Sequence, residues 1–174
     1  MKNLILSITA LFITLSVSSQ TIVDAAASNK DFSTLVTALK AADLVGALSG
    51  EGPFTVFAPN NDAFGKIDSE TLGSLLKPEN VKALSNILTY HVVSGKLMAS
   101  DVTKALKDGY GRVKLTALNG QTFVARSKGG KIFLKDQNGD MSEVIATDVV
   151  GTNGVIHVID LSLIHISEPT RPRI

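Results

Sequence analysis

The chain has 174 residues, of which 44% are hydrophobic and 19% are charged, with 14 glycines, 5 prolines and no cysteine. This composition is typical of one globular domain and excludes collagen-like, disordered and coiled-coil proteins, a disulfide framework and a thiolate metal site. Seventeen basic against sixteen acidic residues give a net charge of +1, too balanced for a nucleic-acid-binding protein, so we expect no nucleic-acid partner.

The first nineteen residues have the pattern of a secretory signal peptide. Lys2 supplies an early positive charge, and an apolar run interrupted only by serine and threonine follows at residues 4–17. This run is shorter than the roughly 20 residues that a membrane-spanning helix needs. We therefore expect residues 1–19 to be removed and the mature protein to be secreted, periplasmic or extracellular, without membrane insertion.

The next eighty residues are predicted to be mostly helical. Phe32, Val36 and Leu39 recur at helical spacing, and Pro78 opens a second stripe that runs to Tyr90. A third stripe from Met98 ends at Gly109, where the pattern predicts the end of a helix. One early strand, FTVFA at residues 54–58, is apolar on both faces and is therefore predicted to be central in a sheet.

Beyond Gly109 the hydrophobic period changes to two, which predicts a meander of strands. Residues 113–117 and 122–126 flank an Asn-Gly turn, residues 131–135 and 143–150 follow, and the doubly apolar VIHVI at residues 155–159 closes the series. Helices first and strands later predict an α+β domain with a mixed or mainly antiparallel sheet.

The last fourteen residues differ from the rest. From residue 161 the chain reads LSLIHISEPTR, which resembles the translation of a transposase adaptor used to build sequencing libraries. We therefore expect residues 161–174 to be a non-native, adaptor-derived tail, and the domain to comprise residues 21–160.

Three segments in this order resemble the fasciclin domain family: FTVFAPNNDAF at residues 54–64, LTYHVV at 88–93 and TNGVIHVID at 152–160. NKDFSTLVTALKAADL at residues 29–44 is similar to the opening helices of the family. The resemblance implies an N-terminal helical layer packed on a two-sheet β-wedge. It also implies a secreted, non-catalytic adhesion module that binds cell-surface or matrix proteins or polysaccharides; we expect a monomer.

The resemblance also implies positions for adhesion. In animal members, integrin-binding determinants lie around a Tyr-His pair and around an Asp-Ile pair that precedes the last Asn-Gly. The corresponding residues here are Tyr90 and His91, and Asp148 followed by Val149 in place of isoleucine. If the Asp148 side chain is exposed, its replacement by alanine is expected to leave thermal stability nearly unchanged and to weaken attachment.

The remaining polar motif residues are predicted to be structural. Asn60, Asn61 and Asp62 follow a strand and precede a short helix, where such side chains accept hydrogen bonds from free N–H groups. His91 and His157 each lie among apolar residues, so we interpret both as buried, hydrogen-bonded core histidines. Asn153 and Gly154 open the last strand and complete the structural set.

No catalytic or cofactor motif stands out. The sequence has no nucleophile elbow and no phosphate-binding glycine loop, and the acidic run at residues 136–143 departs from the calcium-loop pattern. We therefore expect no enzyme activity, no cofactor and no metal. Two alternatives stay open: an extracytoplasmic small-ligand carrier with a pocket between helices and wedge, and a cryptic hydrolase that uses His91 and Asp62.

Positive residues concentrate on the predicted meander. They either form a basic face that attracts acidic polysaccharide or matrix, or they belong to a solvated sheet face whose lysines protect its edges, and from the sequence we favour the second interpretation. The residues concerned are Arg112, Lys114, Arg126, Lys128, Lys131 and Lys135.

Overall fold

The computed structural model describes residues 20–160. The predicted signal peptide at residues 1–19 and the predicted tail at residues 161–174 lie outside the described residues. Within residues 20–160, no helix combines the length and the apolar character needed to cross a membrane.

The described part of the chain contains seven α-helices, seven β-strands and two short 3-10 helices. The helices are α1 (Ile22–Ala27), α2 (Ser33–Ala41), α3 (Val45–Ser49), α4 (Asn61–Gly65), α5 (Ser69–Leu75), α6 (Val81–Tyr90) and α7 (Ala99–Asp108). The 3-10 helices, Lys30–Phe32 and Pro78–Asn80, lead directly into α2 and α6. The strands are β1 (Phe54–Pro59), β2 (Val92–Ser94), β3 (Arg112–Thr116), β4 (Thr122–Lys128), β5 (Lys131–Lys135), β6 (Met141–Gly151) and β7 (Gly154–Ile159).

The three predicted helical stripes correspond to α2, α6 and α7. In α6, Leu84 and Leu88 are buried one turn apart, and the helix ends at Tyr90 as predicted. In α7 the buried residues are Val102 and Leu106, and Gly109 follows as the C-cap. The stripes thus mark the faces with which these helices pack on the sheet.

The strands form one continuous sheet in the order β2-β1-β7-β6-β5-β4-β3. The central pair β1 and β7 is parallel, and every other neighbouring pair of the seven strands is antiparallel. This confirms the prediction of a mixed α+β fold in which the two doubly apolar strands are central. β1 and β7 are buried on both faces because helices cover one side and the wedge interior lies on the other.

Strand β6 turns this sheet into a wedge. It has eleven residues and two register irregularities, between Val144 and Ala146 and between Ala146 and Val149, which divide it between a β2-β1-β7 half and a β5-β4-β3 half. Irregularities of this kind bend a strand and increase its twist. The two ends of the strand order then meet, since Val93 of β2 forms a bridge with Ala117 just after β3.

Two apolar clusters fill the molecule. The first packs the helical layer α1–α3 and α6 against one face of β1 and β7, with Phe32, Val56 and Ile156 among its members. The second lies inside the wedge and includes Phe57 and Phe123. Successive β1 residues therefore serve different cores, as the alternation of side chains along a strand requires.

Candidate functional site

Asn60 and Asn61 are hydrogen-bonded within the helical layer. The Asn60 side chain accepts from the Ala63 N–H at 2.8 Å and so acts as the N-cap of α4. The Asn61 side chain instead reaches the start of α2, where its Oδ1 accepts from the Thr34 N–H at 3.1 Å and its amide donates to the Lys30 carbonyl at 2.9 Å. Asn61 thus caps a neighbouring helix, while Asp62 is exposed in the first turn of α4.

Asn153 connects three elements at the turn between β6 and β7. Its Oδ1 accepts from the Ile22 N–H at 2.9 Å, and its amide donates to the Leu48 and Gly50 carbonyls at 2.8 and 2.9 Å. The next residue, Gly154, packs so closely on β1 that a Cβ atom would meet the Phe54 carbonyl oxygen at 2.1 Å. Both residues therefore hold the helical layer and the central strands together.

Tyr90, an adhesion candidate, is directed into the wedge and is only 7% exposed. Its ring packs edge-on against Phe123 with centroids 5.7 Å apart. Burial raises the pKa of its hydroxyl, the nearby Asp136 carboxylate raises it further, and a hydrogen bond from the Gln137 backbone opposes both effects. Tyr90 thus stabilises the contact between α6 and the β5–β6 turn.

His91, the second candidate, is 3% exposed. Because a carbonyl can only accept, its Nδ1–H donates to the Ile87 carbonyl at 2.8 Å. Burial lowers the pKa of the imidazole from 6.5 to about 4, and the bond to Ile87 opposes this shift. His91 is therefore a neutral core residue at neutral pH.

His157 lies at the centre of a group of contacts that fixes the start of α7. Its Nε2–H donates to the Leu97 carbonyl at 2.6 Å, and its Nδ1 accepts from the Asp148 N–H at 3.4 Å. The buried Thr55 holds the same loop, since its hydroxyl accepts from the Leu97 N–H at 2.9 Å. These contacts correspond to the tautomer that carries its hydrogen on Nε2.

Asp148 and Val149, the other two adhesion candidates, lie on β6. Asp148 has φ of 60°, in the left-handed region, and its exposed side chain accepts from the Ala99 N–H at 2.8 Å through Oδ1. Val149 is half-buried opposite Ile156 of β7. We call Thr55, Leu97, Ala99, Asp148 and His157 the α7 anchor.

The α7 anchor changes the expectation for Asp148. An aspartate that accepts a hydrogen bond from the first turn of a helix contributes about 0.5–2 kcal/mol to stability. Replacement by alanine is therefore expected to lower thermal stability, in contrast to the sequence-based expectation of little change. The two expectations differ because the sequence does not indicate that β6 lies against the start of α7.

The structure separates the four adhesion candidates by exposure. Tyr90 and His91 are core residues, and Asp148 is exposed at the surface. A row of buried rings lies between the two pairs. Tyr90 packs against Phe123, Phe123 packs against Phe57, and the centroids of the Phe57 and His157 rings are 5.5 Å apart. Two large aliphatic side chains of the same strand, Ile145 and Val150, are 49% and 51% exposed. We call Ile145, Asp148 and Val150 the β6 surface.

The cavities bear on the carrier alternative. Between the helical layer and the sheet, the cavity lined by Val23, Leu39 and Ile156 has a volume of about 10 Å³, which is room for about one water molecule. A groove of about 430 Å³ lies elsewhere, between α7 and the β4–β5 hairpin, and is lined by Thr103, Lys107 and Ser127 among others. A small ligand therefore has space beside α7, whereas this cavity between the helices and the sheet is too small for one.

The two residues of the hydrolase alternative have different surroundings. His91 is buried and bonded to Ile87, whereas Asp62 is exposed in the first turn of α4. Within residues 20–160, no three histidine, aspartate or glutamate side chains gather in a way that could hold a metal ion.

Sequence reasoning missed several residues of the α7 anchor and the surface. Leu97 and Ala99 contribute only backbone groups, which no sequence pattern indicates. Tyr110 is 97% exposed with φ of 53°, and its position between two glycines was a signal for an unusual turn. Ile145 and Val150 were included in a strand without any indication that they are exposed.

Comparison with known proteins supports the same architecture. The family model of the fasciclin domain matches residues 30–165. Protein sll1483 of Synechocystis sp. (strain ATCC 27184 / PCC 6803 / Kazusa) is 50% identical over 143 residues, covering 82% of this chain and 72% of that protein. Human periostin is 36% identical over 136 residues, covering 76% of this chain but 14% of periostin.

A solved structure shows the same fold. The FAS1 domain pair from the insect cell adhesion molecule fasciclin I superposes with a TM-score of 0.74 at 21% sequence identity. The match covers 84% of this chain and 51% of that chain, so this chain spans about half of the domain pair.

Proposed function

The chain belongs to the fasciclin domain family, and on that premise we propose that it is a secreted, non-catalytic adhesion module that binds cell-surface or extracellular-matrix components as a monomer. The fold is shared with a domain pair from an insect cell adhesion molecule. The signal-peptide pattern of residues 1–19 supports secretion. The cavity between the helical layer and the sheet has room for about one water molecule, which supports recognition by the outer surface.

The β6 surface is the observation that carries this proposal. Its three side chains are exposed on a single strand, where the Asp148 carboxylate lies between Ile145 and Val150 in sequence. Exposed apolar side chains with polar residues beside them are typical of surfaces that dock another protein. Asp148 is held in place by the α7 anchor, so its carboxylate loses little freedom when a partner binds.

Tyr90, His91 and Val149 have a supporting role in this proposal. Their side chains pack behind the surface, where Val149 lies against the first apolar cluster and Tyr90 belongs to the second. Substitution of these three residues would change attachment through the stability or shape of the domain. Asp148 is the candidate for direct contact with a partner.

The substitution Asp148→Asn tests the proposal because asparagine keeps the Oδ1 acceptor for the Ala99 N–H and tolerates the left-handed backbone. Its matched control is Asp68→Asn, since Asp68 is another exposed capping aspartate, which accepts from the Thr71 N–H at 3.1 Å. We expect Asp148→Asn to reduce the number of cells or matrix-coated beads retained by a surface bearing the purified chain, and Asp68→Asn to leave it unchanged.

Thermal melting of both variants shows whether the folded state is intact. Equal retention by the parent and Asp148→Asn would remove this carboxylate from the adhesion site. Absence of attachment by the parent to every cell and matrix surface would overturn the proposed function.

The carrier alternative is supported by one observation, the groove of about 430 Å³ beside α7. Small-molecule sites have volumes of roughly 300–1,000 Å³. Native mass spectrometry of the purified chain separates the two functions, because a carrier retains a defined small molecule. A bare polypeptide mass after incubation with extracellular metabolites would favour the adhesion module.

A further inference from the structure

The positive and negative charges of this chain are distributed unevenly along its sequence. Residues 109–135 contain six of the seventeen basic residues and none of the sixteen acidic ones, so this segment has a net charge of +6 and the rest of the chain −5. The six are Arg112, Lys114, Arg126, Lys128, Lys131 and Lys135. The overall charge of +1 is therefore the sum of a strongly basic segment and an acidic remainder.

The strand register places all six cations on the outer face of β3, β4 and β5. Leu115, Phe123 and Leu134 alternate with them and are buried inside the wedge. Arg112 lies directly opposite Arg126, and the other cations share the parity of these two residues along their strands. We call these six residues the basic face.

Edge protection explains only part of the basic face. Lysine and arginine on an outermost strand discourage unwanted pairing, and this reason covers Arg112 and Lys114 of β3. Arg126 and Lys135, in contrast, are paired with residues of the strands on both sides, whereas Lys128 and Lys131 lie beside the β4–β5 turn and pair only with each other. Edge protection therefore covers only part of the set, and a solvated sheet face is what the sequence-based interpretation offers for the rest.

The arrangement also has a cost for folding. Arg112 is paired with Arg126, and Lys128 is paired with Lys131, in directly opposed cross-strand positions. Like charges in such positions destabilise a sheet. Among the described residues, one of the six cations has an ion-pair partner, since Lys131 lies 2.6 Å from the Glu143 carboxylate. The Arg126 Nε is shielded from solvent with no hydrogen-bond partner in the described part of the chain.

Tyr110 marks one end of the basic face. It precedes Arg112 by two residues, and the adjoining Gly111 carbonyl accepts from the Ser127 N–H at 3.1 Å, which places it beside the end of β4. Its side chain is 97% exposed although its backbone has φ of 53°. The turn that ends α7 holds Tyr110 in this left-handed conformation, since the following Gly111 N–H donates to the Leu106 carbonyl at 2.7 Å, and the ring itself is left in solvent.

We propose that the basic face, with Tyr110 at its end, binds an acidic polysaccharide. The proposal rests on the proposed function, for which it names a partner class and a second surface. A chain of sugar carboxylates or sulfates would place anions across strands about 5 Å apart and would relieve the opposed like-charge pairs. A tyrosine ring offers an apolar face and a polar hydroxyl, which suit a sugar ring.

The composition of the face distinguishes this partner from others. Protein-docking surfaces have few charges at their centre, whereas Arg126 is central here. Single-stranded nucleic acids are held by successive exposed aromatic rings, and on the outer face of β3, β4 and β5 Phe133 is half-buried between cations. A flexible acidic sugar polymer needs neither a centre with few charges nor a series of exposed aromatic rings.

The test compares two double variants of equal net charge. Arg112→Gln/Arg126→Gln removes the opposed pair from the basic face, and Lys40→Gln/Lys82→Gln removes two exposed lysines from α2 and α6. Binding of the purified chains to heparin and to alginate is measured by calorimetry over a series of salt concentrations, with uncharged dextran as the reference.

We expect the basic-face variant to lose about tenfold in affinity, since each exposed ion pair contributes at most about 1 kcal/mol. Its affinity should also depend less on salt, and its melting temperature should equal or exceed that of the parent because a like-charge pair is gone. The control variant should bind as the parent does. Equal losses in the two variants, or equal binding of dextran, would overturn the proposal.

Two further measurements identify the polymer. Tyr110→Ala should weaken binding to both polysaccharides and leave binding to inorganic polyphosphate, which has no sugar ring, unchanged. An equal effect on all three polymers would remove the sugar assignment. Tighter binding of a single-stranded oligodeoxynucleotide than of either polysaccharide would show a nucleic-acid site instead.

The attachment assay separates this inference from the proposed function. Attachment that depends on Asp148 without any polysaccharide binding would overturn the basic-face proposal alone. Polysaccharide binding without attachment to cells or matrix would overturn the adhesion module and leave the basic face as a polysaccharide site.

Discussion

At the residue scale, the two buried histidines connect the apolar sequence around them to hydrogen bonds inside the domain. His91 donates to the Ile87 carbonyl, and His157 bridges the Leu97 carbonyl and the Asp148 N–H. Each ring fills space in a core and satisfies backbone groups that would otherwise be buried without partners. The two histidines therefore stabilise the fold, and recognition of a partner is left to exposed side chains.

The lowered pKa of His91 predicts a loss of stability on mild acidification. The unfolded chain takes up the imidazole proton near pH 6.5, whereas the folded state resists it until about pH 4. The free energy of unfolding should therefore fall as the pH decreases from above 6.5 towards 4, by about 2 kcal/mol between pH 8 and pH 5. Below pH 4 this contribution stops changing.

Urea denaturation at several pH values measures this effect. His91→Gln is the matched variant, because its side-chain amide retains a donor for the Ile87 carbonyl and cannot titrate. It should be less stable at neutral pH and should lose most of the pH dependence between pH 8 and pH 5. An unchanged pH dependence in this variant would assign the effect to other groups.

At the element scale, the close contact between β1 and β7 depends on glycine. Gly154 starts β7 opposite Phe54, where a Cβ atom would meet the Phe54 carbonyl oxygen at 2.1 Å. These two strands are the only parallel pair among the seven described strands, and both sheet faces there are buried. An added methyl group has no direction in which to relax without moving the central strands.

Two glycine-to-alanine substitutions test this view, because they are expected to change the free energy of unfolding in opposite directions. Gly154→Ala should destabilise the domain by about 1–3 kcal/mol or more through overpacking. Gly73→Ala, in α5 with no atom within 4 Å of the added Cβ, should stabilise it by about 0.5–1 kcal/mol because alanine favours helix. Chemical denaturation compares both with the parent. A stable Gly154→Ala protein would show that β1 and β7 can separate locally.

At the scale of the whole molecule, the wedge is closed by contacts between the two ends of the strand order. Val93 bridges Ala117, and the Leu118 N–H donates to the Val92 carbonyl at 2.7 Å. Because β2 and β3 are the terminal strands, this seam converts an open sheet into a barrel-like one. The second apolar cluster lies behind it.

Native-state hydrogen exchange tests whether this seam opens independently. The Leu118 amide should exchange only with an opening free energy close to that of global unfolding, because its acceptor lies on another strand. The Gly120 amide donates to Ala117 within the same turn and should exchange much faster through local fraying. Similar rates for the two amides would show that the wedge opens at the seam without unfolding.

The sequence alone determined the elements and the family of this protein. Helical and strand periods follow directly from which residues must be buried, so α2, α6, α7 and the meander could be predicted from residue spacing. The short elements α5 and β2 have too few residues to show a period. The neutral, buried state of His91 followed from its apolar neighbours, since such surroundings favour an uncharged imidazole.

Only the tertiary structure decided which of those residues meet. Asp148 caps α7 across 49 residues of sequence, and Asn61 caps α2 rather than its own helix, because hydrogen bonds depend on distance in space and leave no periodic trace. The sequence could not show whether Arg126 protects a sheet edge, and the strand order places it in an inner strand. The type of a residue indicates whether its side chain is buried, whereas the hydrogen-bond partners of that side chain depend on how the wedge closes.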